Sequence, residues 1–360
     1  MKPQTFICLF LSLTVALQSI SAPAMETDQY NLPPVPLADT GDEVSQYVED
    51  NLLTAVAKVN AEIGLHEACL SAAKTIKRGC GNADEERSKL KYLRSNDTVA
   101  TEVYKRLGDG SIFISYIGKW ANTHKFHSSP SRYKTSYLDS IYVAQPVDYS
   151  TLSPTVRLFG TEFGTDKLDH FFQQGYKYYQ IRRDAIAKGQ KADEATTKAV
   201  KWGQMTERTY FGLLVSGVYS NADLYANYVG MKFYQGLTEP VPIGGKTRPA
   251  LVTLKEGMWQ LDKTRLHEDL LRPFVADQLN EALNPSGYGL LLYPSVRDIV
   301  RKKSCPKWKR DYPGLTAATV ADKSKGLEAW NGEDYGYTKR PRTVRIAEAC
   351  YSPEVRSAER

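Results

Sequence analysis

Histidine and long apolar runs are scarce in this chain, and each scarcity removes a class of function. Only 5 of the 360 residues are histidine, and none falls in an H-E-x-x-H pair. A G-x-S-x-G elbow and a P-loop are missing too, so the familiar metalloprotease, serine-hydrolase and phosphate-cradling arrangements are not expected. Past the first seventeen residues no apolar stretch approaches the roughly 20 residues of a membrane-spanning helix. The sequence also lacks internal repeats, low-complexity tracts and any nucleic-acid reader motif, so nucleic acid is not an expected partner.

What is present begins at the N-terminus. Met1 and Lys2 give a short basic start, Thr5 to Leu17 form an apolar run, and Ala22-Pro23-Ala24 offers an A-x-A site. Together they predict a secretory signal peptide over residues 1–24, cleaved after Ala24, and hence a periplasmic or secreted location. Cys8 lies inside the apolar run, too early for lipoprotein acylation. The remaining cysteines are Cys69, Cys80, Cys305 and Cys350. An even number in an oxidising compartment predicts two disulfides, and pairing Cys69 with Cys80 and Cys305 with Cys350 closes the shortest loops.

With 42% hydrophobic and 24% charged residues, the composition is that of a globular protein. The net charge of +6 owes much to three late clusters, Arg301-Lys302-Lys303, Lys307-Trp308-Lys309-Arg310 and Lys339-Arg340-Pro341-Arg342. These suit either a solvated face or contact with an anionic envelope surface.

Along the chain, residues 25–41 read as an extended leader, because Pro33, Pro34 and Pro36 leave no room for a helix. A helix is expected from about Asp42, with Thr40 and Glu43 at capping-box spacing and Val44, Tyr47, Val48, Leu52, Val56, Val59 and Ile63 at helical intervals. Further helices are expected near 84–107, 166–187, 193–216, 221–236, 264–283 and 294–303, with a β-prone stretch from Ser111 to Ile117. The fold class is therefore mostly α: a compact multi-helix bundle with an irregular, disulfide-tethered C-terminal segment. Pro240, Pro242, Gly244, Gly245 and Pro249 mark a break between a helical core, 42–237, and a C-terminal region, 250–360, that packs on it.

The residues with chemical potential lie between Gly160 and Gly236. In the first element Thr165 can cap a helix whose apolar stripe is Leu168, Phe171, Phe172, Gly175 and Tyr179. Asp166, His170 and Gln173 fall opposite, on what reads as a solvated face, and Asp166 and Asp169 favour the helix N-terminus. In the second, Glu207 shares an apolar face with Val200, Gly203, Phe211 and Leu214, where a lone carboxylate is costly and wants a partner. The third runs from Ser220, with Ser220 or Asn221 as its cap, and is apolar nearly all round. Its only polar stripe is Asp223, Asn227 and Gly230, which must meet partners or a ligand.

The ordered set Asp166-Lys167-x-x-His170-Phe171, Glu207, Asp223-Leu224-x-x-Asn227-x-x-Gly230 resembles VanZ-like proteins, and is similar to a group of small periplasmic lipoproteins. It covers about a fifth of the chain. The resemblance implies a compact helical unit with a shared polar cluster, and VanZ itself is linked to glycopeptide-antibiotic resistance. Unlike VanZ, this sequence carries no membrane spans. No reaction comes with the resemblance.

Asp166, Lys167, His170, Glu207, Asp223 and Asn227 are therefore the expected ligand-binding set. Asp166 and His170 are four residues apart, as are Asp223 and Asn227, so each pair projects from one side of its helix. The expectation is convergence on three packed helices, with Gly203 and Gly230 permitting close approach and His170 gaining a carboxylate neighbour. Two functions follow. One is a non-catalytic envelope protein whose polar cluster organises the fold or binds a cell-wall-related ligand. The other is a periplasmic hydrolase using His170 with Glu207 or Asp223 as acid and base. A sealed, fully bonded cluster favours the first, and an open concave one the second. No metal or cofactor is expected. His124 and His127 would need a third zinc ligand from elsewhere and read as a loop or core pair. Asn280, Glu281, Asn284 and Ser286, beside Pro285, read as a helix end and turn. The 23 tyrosines suit aromatic helix packing or a glycan groove.

Overall fold

The computed structural model describes residues 26–71, 80–111, 114–149 and 152–351. The signal peptide expected over 1–24 lies outside them. Helix α1 (Gly41–Ser71) buries Val44, Val48, Leu52, Val56, Val59 and Ile63 along one face, as their spacing demands. Tyr47, at the edge of that stripe, stacks on Trp120 at 4.1 Å between centroids. The expected capping box does not form at its start. Glu43 accepts instead from the His127 backbone amide at 3.1 Å, and its carboxylate lies 2.8 Å from His127 Nδ1, while Thr40 Oγ1 donates to Arg157 O.

The helix expected at 84–107 is two, α2 (Ala83–Leu93) and α3 (Asn96–Leu107), broken at Arg94-Ser95. The β-prone stretch near Ser111 gives way to α4 (Tyr116–Thr123), which Ser115 caps by accepting from the Gly118 amide. A β-hairpin, β1 (Thr155–Leu158) with β2 (Thr161–Gly164), leads into the central helix. That helix is α5 (Asp166–Asp169), a π-helical turn (His170–Gln174) and α6 (Gly175–Ala187). After α7 (Ala192–Arg208) the chain reverses instead of continuing to 216. The Phe211 and Leu213 amides fold back onto the Thr206 and Glu207 carbonyls, and Leu214, expected on the buried face, is largely exposed. Strand β3 (Val218–Tyr219) then feeds α8 (Asn221–Thr238), buried along nearly its whole length and capped by Ser220, whose hydroxyl accepts from the Asp223 amide.

Helix α8 crosses the central helix backbone to backbone. A Cβ on Gly230 would sit 2.0 Å from Phe171 O, and one on Gly175 would sit 2.6 Å from Gly230 Cα. No larger residue fits either site. Gly203 serves differently: its missing Cβ makes room for the Tyr178 hydroxyl rather than for a helix backbone.

Beyond α8 come two small hairpins, β4–β5 (Val241–Ile243, Lys246–Arg248) and β6–β7 (Val252–Lys255, Met258–Leu261). The helix expected at 264–283 is only α9 (Glu268–Leu271) followed by short 3₁₀ turns, one of which contains Pro273. A proline lacks the amide that an unbroken helix would need there. Conversely, the helix expected at 294–303 runs on, from α10 (Tyr293–Ile299) through a second π-helical turn into α11 (Cys305–Asp311). Strand β8 (Gly287–Tyr288) pairs with β3, and α12 (Ala317–Gly326) and α13 (Ile346–Tyr351) close the fold. Both local disulfides, Cys69–Cys80 and Cys305–Cys350, are formed, and the second ties the C-terminal segment to the helical body. One apolar cluster runs from Val44 to Tyr335, and a second joins Tyr30 and Ile141 to the final helices.

Candidate functional site

The residues singled out by spacing do meet, and Lys167 stands at their centre. Its ammonium lies 2.5 Å from Asp166 Oδ2, 2.6 Å from Asp223 Oδ1 and 2.6 Å from Glu281 Oε1, with no side-chain exposure. The side expected to be solvated at the start of the central helix is therefore interior. Asp166 is 1% exposed, and its other oxygen accepts from the Thr27 hydroxyl at 2.6 Å. Thr165 does not cap the helix; its hydroxyl donates to Asn122 Oδ1. Nor does Asp169 sit at the solvated first turn, since it accepts from the Ser115 amide and hydroxyl at the head of α4.

His170 occupies the rim of the cluster, with 15% of its side chain exposed. Nδ1 lies 3.1 Å from Asn227 Oδ1, and Nε2 lies 3.3 Å from Asp223 Oδ2, so the expected carboxylate neighbour is there. Glu207 reaches the group from α7. It is 1% exposed, accepts from the Ser220 amide at 3.3 Å through Oε2, and makes no hydrogen bond through Oε1.

Burial decides the electrostatics. It drives the Glu207 carboxyl well above its ordinary range, and the neighbouring Asp223 charge pushes the same way. Glu281 is likewise raised by burial, to about 7, against the pull of Lys167. Burial opposes the Lys167 ammonium as well, but Asp166, Asp223 and Glu281 outweigh it and hold the ammonium well above its usual range. For Asp223 the burial penalty is more than offset by His170 and Lys167, and its carboxyl is lowered. The ammonium donates hydrogen bonds to Asp166 and Glu281 and forms an ion pair with Asp223, whose Oδ1 accepts no hydrogen bond, so three carboxylates surround the buried charge.

The chain matches no family model, no curated protein and no solved structure in these comparisons. The site therefore has to be read from its own chemistry.

Two contributors escaped the sequence reading. Glu281 was placed in a turn, yet its carboxylate receives Lys167 and the Ser220 and Tyr142 hydroxyls. The leader is not a loose extension. Asp28 accepts from the Tyr30, Asn31 and Ile141 amides, and Gln29 Oε1 accepts from the Glu281 amide at 2.7 Å. A cleft of about 670 Å³ adjoins this segment, lined by Gln29, Asn31, Arg157, Glu162, Asn280 and Tyr312 among others. None of the six expected site residues lines it. His124 and His127 share Glu43 near the surface, Nε2 and Nδ1 lying 3.4 and 2.8 Å from its Oε2. Part of the late basic charge is internally paired: Lys303 with Asp139, Arg310 with Asp311, and Lys339 with Glu328.

Proposed function

We propose that the protein is an exported envelope component in which the Lys167 cluster organises the fold and the adjoining cleft takes a cell-wall-related ligand. The observation carrying this reading is closure: Lys167 is fully buried and its ammonium lies within 2.6 Å of three carboxylates. A catalytic ammonium or carboxylate would have to meet substrate. The cleft, by contrast, mixes amide, carboxylate and guanidinium groups with the exposed ring of Tyr312 and a proline rim, Pro33 to Pro36. Aromatic faces beside fixed polar groups suit a glycan or glycopeptide. The apolar N-terminal run with its A-x-A site supports export, and the VanZ-like motif order agrees with a role at the cell wall.

The test is binding of soluble cell-wall muropeptides by calorimetry, with Tyr312→Ala as the cleft variant. Micromolar binding weakened roughly two- to tenfold by that change is expected, the usual cost of losing one stacked ring. No binding, or equal binding by the variant, would refute the cleft assignment. Protein recovered from the periplasm should begin at Met25. The hydrolase reading rests on the partial exposure of His170 beside Asp223. Cleavage of the muropeptides that disappears in a folded His170→Asn variant would favour it.

A further inference from the structure

One side of the cluster is not accounted for by Lys167. His170 Nδ1 lies 3.1 Å from the amide oxygen of Asn227, which only accepts, so a neutral His170 would carry its proton on Nδ1 and offer Nε2 as a ligand atom. Nε2 stands 3.3 Å from Asp223 Oδ2. A Glu207 carboxylate oxygen completes the group, and the three ligand-type atoms lie within 4.8 Å of one another. Glu207 is 1% exposed, and its Oε1 has no hydrogen-bond partner. A cation among the two buried carboxylates and a neutral imidazole would be attracted to all three groups.

We propose that His170, Glu207 and Asp223 bind a divalent transition-metal ion of the zinc class, with solvent completing the coordination. Neutral imidazole and carboxylate oxygen are its ordinary ligands, and three protein ligands with one open position form a common zinc arrangement. Ligands about 2.0–2.1 Å from a tetrahedral ion lie roughly 3.3–3.4 Å apart. The observed His170–Asp223 separation of 3.3 Å has that value. Both groups are already oriented from behind, His170 by Asn227 and Asp223 by Lys167 on its second oxygen. Such outer contacts fix the ligand geometry of metal sites. Charge agrees as well. Were Asp166, Glu207, Asp223 and Glu281 all ionised, Lys167 would leave three of their negative charges unmatched, and a divalent ion would cancel two of those.

Three elements supply the ligands. The π-helical turn presents His170, the last turn of α7 presents Glu207, and the first turn of α8 presents Asp223. A π-helical turn inserted into an α-helix is frequently found at a functional site.

The experiment uses the full exported chain stripped with chelator and titrated with ZnCl₂ by calorimetry and with CoCl₂ by visible absorption. One equivalent should bind, with the intense bands of four-coordinate Co²⁺, and should raise the thermal midpoint. His170→Gln and Glu207→Gln should each weaken binding by about 100-fold or more, above the 10- to 100-fold loss typical of outer-shell changes. His127→Gln, on the surface pair, should bind as wild type does. Circular dichroism checks folding, and if Glu207→Gln does not fold, His170→Gln at the exposed rim decides alone. Absence of binding to wild type, binding unchanged in folded His170→Gln, or binding lost in His127→Gln would each overturn the proposal.

Discussion

The Lys167 ammonium donates to Asp166 and Glu281 and forms an ion pair with Asp223 at 2.6 Å. Removing the cation while keeping the bulk, as in Lys167→Met, leaves three buried carboxylates without their counter-charge. Breaking a buried ion cluster in this way costs about 3–5 kcal/mol, so urea denaturation should show a loss of that size. A loss below about 1 kcal/mol would mean the cluster is not what holds these helices. Five neighbours of Lys167 could be anticipated because helical periodicity relates them. Asp166 and His170, and Asp223 and Asn227, sit one turn apart, and Glu207 lies on an otherwise apolar stripe. Periodicity says nothing about Thr27 or Glu281, which come from irregular segments 139 and 114 residues distant from their partners. A carboxylate in a turn looks solvated until the fold buries it.

Elements built on a single strong face matched expectation, and those whose continuity depended on tertiary contacts did not. Helix α1 follows its apolar stripe, and α8 is buried all round as its composition requires. The pattern past Arg208 remains helical on paper, but the chain turns back there so that β3 can pair with β8. The start of α2 shows how side chains lock an element end. Glu86 meets His66 Nδ1, the Gly81 amide at 2.8 Å and Lys89 at 3.1 Å. His66, then the Gly81 amide, hold its carboxyl down at about 2 from an ordinary 4.5. A carboxyl lowered in the folded state stabilises above its unfolded value, and that contribution disappears as pH falls through the folded one. Between pH 4.5 and 2 the urea midpoint of wild type should therefore fall more steeply than that of Glu86→Gln. Equal slopes would show that the pairing of α1 with α2 does not depend on this charge.

At the scale of the molecule, the C-terminal segment is held at both ends of a 45-residue loop by Cys305–Cys350. Closing a loop of this size restricts the unfolded chain by about 4 kcal/mol in the entropic account. Reduction should therefore expose residues beyond 305 to protease before α1, α6 or α8 is cut. Simultaneous digestion of all regions would mean that the segment and the bundle unfold as one.

The buried segment Glu26–Asn31 has a consequence in time. Tyr30 donates to Val344 O across 314 residues, Trp308 donates to Tyr30 O across 278, and the Glu281 amide donates to Gln29 across 252. Contacts so distant in sequence are slow to find, because the entropy of closing the intervening chain must be met before any of them forms. As the ribosome releases the chain N-terminus first, this segment has no seat until the other end of the protein exists. The helices can assemble early, but the interior of the Lys167 cluster is finished only when the first described residues and the last come together.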